Sequence, residues 1–369
     1  MNEFLALLDE LADAPITPAF LARLSGATRP QGMLFAQRLA QLPEVRRLEI
    51  IASMAHYGEE DFALHFDELY RACLSDESAP VRRQCVRSLW EDERPDLAFR
   101  LIEMLHGDPS AEVRAAAATG LGSFLWLAEI EELDETLALE VRQALELCIA
   151  SEQEPIEVRR RAVEAIAFIN DDVVKQIIDR AYADEDPLMR ISAVFAMGRS
   201  ADHFWAETVQ AELYSDSAAM RYEAVRACGE IELKRATPNL IRMAYDGRDP
   251  QLQLIAVWAL GKIGGDRARN TLAELMESDN EDLAEAAGDA LDELNLFDTS
   301  FDLLDVDLEH QQLVELGLVE DDDSPVDETA LAYRREFGRY LQESEDEDEG
   351  GDEDEGDDED WPDEFLEIG

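Results

Sequence analysis

The amino-acid sequence predicts an all-α fold: a right-handed α-solenoid of helical-hairpin repeats followed by a disordered acidic C-terminal tail. Three observations predict it. First, a medium or large apolar residue followed at once by Arg, and by Ala four positions on, keeps returning. It stands at Val113-Arg114-Ala117, Val158-Arg159-Ala162, Met189-Arg190-Ala193 and Met220-Arg221-Ala224, at intervals of 31 to 45 residues. A recurring period of that size marks a stacked-repeat architecture. Second, Asp-Pro steps and glycines bracket the same stretches. Third, residues 343–369 hold 17 acids and no Lys or Arg.

The repeats can be registered on the apolar anchor: Val81, Val113, Val158, Met189, Met220, Leu252 and Leu283. The residue after each anchor is Arg82, Arg114, Arg159, Arg190 and Arg221, then Gln253 and Ala284. Four places on stand Cys85, Ala117, Ala162, Ala193, Ala224, Ala256 and Ala287. An apolar i, i+4 pair marks one face of a helix, and the small second member lets two helices approach. Val45-Arg46 with Ile50 reads as an earlier, degenerate copy.

Asp108-Pro109, Asp186-Pro187 and Asp249-Pro250 place an N-capping Asp before a Pro suited to the first turn. Gly122, Gly198, Gly229 and Gly261 are expected at C-caps. A second helical stretch, PNLIRMAYDG or ARNTLAELMES, completes each hairpin. The interval from Val113 to Val158 is 45 residues, which implies longer helices or a protruding loop there.

These signals divide the chain into four parts. Residues 1–75 form an N-terminal helical cap with the degenerate copy, and 76–297 the repeat array. Residues 298–342 form a C-terminal cap whose last helix has Ala330, Tyr333, Phe337 and Tyr340 on one face. Residues 343–369 are the acidic tail, too charged to bury a core.

The run DPLMRISAVFAMG from Asp186 resembles HEAT repeats of the short bacterial type, known as phycobilisome-lyase-like. The resemblance is strong over about 76–295 and weaker over 30–75. It implies that Arg82, Arg114, Arg159, Arg190 and Arg221 form a buried structural ladder with acids of neighbouring units. Gln253 and Ala284 interrupt the ladder, so the last two units are expected to stack by apolar contact alone. The ladder could also be read as an anion site, but its strict repetition favours scaffolding.

Charge limits the function classes. There are 86 acidic and 32 basic residues, a formal net charge of −54. Residues 1–297 alone carry 56 acids and 29 bases. General binding to nucleic acid or to an anionic membrane is therefore disfavoured. Cys73, Cys85, Cys148 and Cys228 form no CxxC pair, which fits reduced, buried thiols. The N-terminus carries acids where a signal peptide needs positive charge, and no apolar run approaches a membrane span. The expectation is a soluble, cytoplasmic protein.

The anchor pattern also sorts each helix by face. Positions two and six after the anchor lie on its far side and are expected on the concave face of the solenoid. They pair Arg83 with Arg87, Ala115 with Thr119, and Arg160 with Glu164. Three later units offer Ile191, Phe195, Tyr222, Arg226, Leu254 and Trp258, an apolar and aromatic stripe. Tyr, Trp and Arg are enriched at binding hot spots. The stripe reads equally as a partner site or as a face covered by tight curvature or by the C-terminal segments. In the tail, Trp361, Phe365 and Ile368 have the spacing of a short docking helix, against the plainer reading of a solubilising tail.

No catalytic, cofactor-binding or metal-ligating set stands out. The five histidines are scattered and none is followed by Glu, unlike the His-Glu pairs of deoxyhypusine hydroxylase, an iron enzyme of similar repeats. The leading expectation is a non-enzymatic scaffold or adaptor with no cofactor. It would bind a protein or peptide on the concave face, modulated by the acidic tail, which would steer a basic partner or dock intramolecularly. Two alternatives stay open. The resemblance to phycobilisome lyases implies a phycobilin-handling protein, and the tail is also compatible with a chaperone of a basic, nucleic-acid-binding protein.

Overall fold

The computed structural model describes residues 2–295. The C-terminal cap expected over 298–342 and the acidic tail lie outside the described residues. Among the described residues every regular element is helical. The chain forms two compact units, one ending at Ala196 and the other beginning at Met197.

The first unit starts with α1 (Asn2–Glu10), α2 (Pro18–Ala22), α3 (Arg29–Leu39), α4 (Glu44–Glu60), α5 (Asp67–Cys73) and α6 (Ala79–Arg87). It continues through α7 (Pro95–Gly107), α8 (Ala111–Glu129), α9 (Glu135–Ala150), α10 (Ile156–Ile166) and α11 (Asp172–Tyr182) into α12 (Pro187–Arg199), within which the unit boundary falls. The second unit holds α13 (Ala206–Glu212), α14 (Ala218–Glu230), α15 (Thr237–Ala244), α16 (Pro250–Ile263), α17 (Asp266–Leu275) and α18 (281–295). In the first unit the anchor helices α4, α6, α8 and α10 pack side by side in one layer, while α7 and α9 pack together in the other. In the second, α14 packs on α16, and α15 and α17 pack against α16.

Periodicity explains the layers. The residues four places after each anchor, from Cys85 to Ala287, are all fully buried, and Val81, Val113 and Val158 are buried with them. A small residue there brings neighbouring backbones close and excludes water from the seam. The long interval is taken up by long helices: α8 has 19 residues and α9 has 16. The early copy is shifted by one place. Val45 is 81% exposed, whereas Arg47 and Ile50 are buried, so Arg47 rather than Arg46 holds the ladder position.

Two cap assignments hold and one is corrected. Asp249 accepts from the backbone N–H of Leu252 at 3.0 Å, and Asp186 from those of Leu188 and Met189 at 2.8 and 3.3 Å. Asp108 does not cap α8, which starts at Ala111 behind Ser110. Its carboxylate instead takes the guanidinium of Arg82.

The glycines are also reassigned. Gly122, Gly198, Gly229 and Gly261 are not C-caps but lie inside α8, α12, α14 and α16. Each faces the neighbouring anchor helix. A Cβ there would sit 3.3 Å from Ala165 Cα, 2.7 Å from Ala227 Cα, 3.0 Å from Ala259 Cα and 2.9 Å from Ala290 Cβ, respectively. These glycines set the helix spacing. At Gly229 the added methyl would also meet Trp258 Cζ3 at 2.7 Å. Alanine gains about 1 kcal/mol of helix propensity over glycine, but overpacking costs about 1–3 kcal/mol, and the Ala259 backbone has no rotamer to yield. Gly229→Ala should therefore lower the urea midpoint. Gly107→Ala, whose methyl would meet nothing within 4 Å, should leave it unchanged or raise it. Equal behaviour of the two variants would refute the spacing role.

Candidate partner-binding site

The residue after each anchor turns toward the loop that precedes its helix. Arg82 Nη1 donates to the carbonyls of Asp76 and Glu77, at 2.8 and 3.1 Å. Arg190 does the same to Asp184 and Glu185, and Arg221 to Ser215 and Asp216. Arg114 reaches the Asp108 carbonyl at 2.8 Å, and Arg159 Nε the Ile149 carbonyl at 3.2 Å. Each guanidinium thus satisfies carbonyls left over where the chain turns between helices.

In the first unit Arg47, Arg82 and Arg114 also bridge successive repeats. Arg47 Nη1 lies 3.2 Å from Asp76, and Arg82 binds both oxygens of Asp108 at 2.7 Å. Arg114 Nε binds Glu154 at 3.0 Å. Burial pushes the Asp108 carboxyl up, but the Arg82 hydrogen bonds, the Ser110 N–H and the nearby Arg charges outweigh it and hold the group below the ordinary carboxylate range. In the second unit Gln253 takes the arginine's place, its Nε2 donating to the Ala244 carbonyl at 2.7 Å. The expectation of purely apolar stacking at the last two units is therefore corrected. Besides Gln253, Lys262 pairs with Glu293 at 2.6 Å and the Tyr245 hydroxyl with Glu274 at 2.7 Å.

The positions two and six after each anchor fall into three kinds. Arg83, Arg87, Ala115 and Thr119 are half-buried. Arg160 and Glu164 are buried; Arg160 Nε donates to Ser192 Oγ at 3.2 Å, and Arg161 binds Glu164 at 2.8 Å. Burial raises the Glu164 carboxyl, but the Arg161 and Arg160 charges outweigh it and hold the group below its usual range. Ile191 and Phe195 on α12 are buried as well.

In the second unit Arg226 is wholly buried between two glutamates of its own helix. Its Nε donates to Glu223 at 2.8 Å and its Nη1 to Glu230 at 2.5 Å. It is an internal clamp, not the surface cation that its position implies. Signals for that clamp are present in the sequence, since Glu223 and Glu230 stand three before and four after Arg226. Tyr222, Leu254 and Trp258 remain half-buried. Leu254, Trp258 and Lys262 follow one another at successive turns of α16, and Lys262 Nζ lies 5.5 Å from the centroid of the Trp258 ring. Such a cation–π contact orients both groups. Trp361, Phe365 and Ile368 lie outside the described residues.

A family model for HEAT repeats matches residues 66–147 and 206–292. The chain contains HEAT repeats over those two stretches. Its HEAT repeats are similar in fold to several solved structures. The complex of CpcE and CpcF of phycocyanin lyase from Nostoc sp. PCC7120 is 18% identical, over 76% of this chain and 96% of that one, with a TM-score of 0.48. Human deoxyhypusine hydroxylase is 17% identical over 72% of this chain and 97% of its own, with a TM-score of 0.32. Kap95p, from a complex with RanGDP, is 14% identical over 79% of this chain and 45% of its own, with a TM-score of 0.44. Comparison with curated protein sequences finds no match. Among the described residues no helix of the HEAT array is long and apolar enough to cross a membrane, and no group of three or more His, Cys, Asp or Glu could hold a metal ion.

Proposed function

We propose that this protein is a non-enzymatic binding module that takes a protein or peptide partner on the anchor helices of its second unit, at Tyr222, Leu254, Trp258 and Lys262. The observation that carries this reading is the half-buried Trp258 ring held beside Lys262 on α16, with Tyr222 on the neighbouring α14. Aromatic groups already oriented lose little side-chain entropy on binding, which is why Tyr and Trp dominate hot spots. The Lys262–Glu293 ion pair supplies a polar rim to the apolar centre.

The test compares affinity capture by the full-length protein and by a Tyr222→Ala, Trp258→Ala double variant of unchanged helical circular dichroism. A hot-spot truncation costs about 2 kcal/mol or more, roughly 30-fold in Kd. A partner recovered by the parent should therefore be lost by the variant. Equal recovery of every partner by both proteins removes the proposal.

A further inference from the structure

Three large side chains stand exposed along one edge of the second unit. Tyr214, Tyr245 and Met276 recur at intervals of 31 residues, each just past the last turn of α13, α15 and α17. The residues immediately before them, Leu213, Ala244 and Leu275, are buried and close the hairpins. The side chains that follow are turned outward, 62, 50 and 46% exposed.

The two rings are held in place. The Tyr214 hydroxyl donates to Asn239 Oδ1 on α15 at 3.1 Å, and the Tyr245 hydroxyl to Glu274 Oε2 on α17 at 2.7 Å. Each ring is thus strapped to the next outer helix and has little side-chain entropy left to lose when it is covered. Its open face is the negative side of the aromatic quadrupole and attracts cations. Charge at this edge has the same sign. The stretches 212–221, 242–251 and 274–283, which contain the three residues, hold nine acids against three arginines. Of those arginines, Arg221 donates to the Ser215 and Asp216 carbonyls, and Arg248 pairs with Asp246 at 2.6 Å. Asp216, Glu277 and Asp279 are exposed.

We infer that the edge formed by Tyr214, Tyr245 and Met276 binds an extended, arginine-bearing segment of a basic partner protein, with guanidinium groups on the two tyrosine faces and an apolar side chain on Met276. Charge complementarity selects this occupant. A nucleic acid or an acidic peptide would meet carboxylates, and a second copy of so acidic a chain would be repelled. Arginine suits the rings better than lysine because its planar group stacks on an aromatic face. Spacing sets the form of the segment. Packed helices lie about 8–10 Å apart, which three residues of polyproline II chain span at about 3.1 Å each. A cation at every third residue would therefore meet successive rings. This inference does not rest on the partner site at Tyr222 and Trp258, and its failure would leave that reading intact.

The experiment titrates the full-length protein with a short synthetic Arg-Pro-Pro repeat peptide by isothermal titration calorimetry. The peptide should bind, and a Glu-Pro-Pro peptide of the same length should not. In a Tyr214→Leu, Tyr245→Leu variant the Kd should rise about 5- to 30-fold, as the loss of two exposed cation–π contacts implies. Tyr214→Phe with Tyr245→Phe, which keeps both rings, should lose far less. The acidic tail also attracts a basic peptide, but the Leu variant leaves the net charge unchanged, so an equal Kd in parent and Leu variant overturns the inference. Hydrogen exchange on the parent protein gives a second reading that needs no variant. The peptide should protect the backbone of 214–217 and 245–248, and protection confined to other segments overturns the inference. So does protection of those loops that rises with protein concentration in the absence of peptide, since that would make the occupant a second copy.

Discussion

Asp108→Asn should be among the most destabilising single substitutions in the first unit. The carboxylate takes both arms of Arg82 at 2.7 Å, and Arg82 is 7% exposed. Asparagine keeps the shape but removes the charge and turns an N–H₂ toward a group that can only donate. Breaking one partner from a buried ion pair costs about 3–5 kcal/mol, and the Asp76 and Glu77 carbonyls, which still accept from Arg82, place the loss at the lower end. The effect should be local. Hydrogen exchange should rise in α6 and α8 and stay unchanged in α14 and α16, because repeat arrays lose stability by neighbouring interfaces. Asp246→Asn, which breaks an exposed pair with Arg248, should not shift the urea midpoint. The pH dependence has a definite sign. A carboxyl held below its unfolded value of about 3.9 contributes stability above that value and loses it as pH falls through the folded one. The gap between parent and variant should thus be full at pH 7 and close only below about pH 4. A gap that stays constant into acid, or equal effects of the two Asn variants, would show that the charge of Asp108 does not carry the stability.

The repeat architecture was legible because the anchor and the residue four places on are a local signal, and every one of those second residues from Cys85 to Ala287 is buried. The glycines were misread because a glycine near a helix end looks alike in sequence whether it stops the helix or admits a neighbour. What decides is Ala165, Ala227, Ala259 or Ala290 in the next repeat, and that contact is long-range. Position along the helix put Tyr222, Leu254 and Trp258 on one side, but side-chain chemistry overrode position for Arg226. A guanidinium with carboxylates three residues before and four after is satisfied within its own helix, and burial then costs less than exposure of the surrounding apolar groups. The shift of the early copy to Arg47 was hidden because Arg46 and Arg47 are adjacent, and only the partner acids Asp76 and Glu77 tell them apart.

The same clamp yields the second large effect. Arg226→Leu should destabilise the second unit by about 3–5 kcal/mol, because it leaves a buried carboxylate uncompensated. Glu223 is 4% exposed, so water cannot replace the lost donor. Glu230 cannot swing freely either: a Cβ at Gly198 would lie 2.3 Å from its Oε2, so the carboxylate rests against the end of α12. If the lost stability reflects stranded charge rather than lost packing, removing the charge should restore it. Glu223→Gln in the Arg226→Leu background should then recover at least about 1 kcal/mol, since residues in one ion-pair network couple by about 0.5–3 kcal/mol. Alone, Glu223→Gln should destabilise, as it removes one of the two negative charges that face a wholly buried guanidinium. The double-mutant cycle by urea denaturation decides. Additive losses would mean that Arg226 is held by its aliphatic stem, and the ionic clamp would be wrong. A positive coupling also fixes how Arg226 enters partner capture. Arg226→Lys, which keeps a charge but not the forked geometry, should weaken α14 and α16 and reduce partner binding in proportion to that loss. Tyr222→Ala, by contrast, should reduce binding at unchanged stability if, as we propose, Tyr222 contacts the partner while Arg226 holds the helix that carries it.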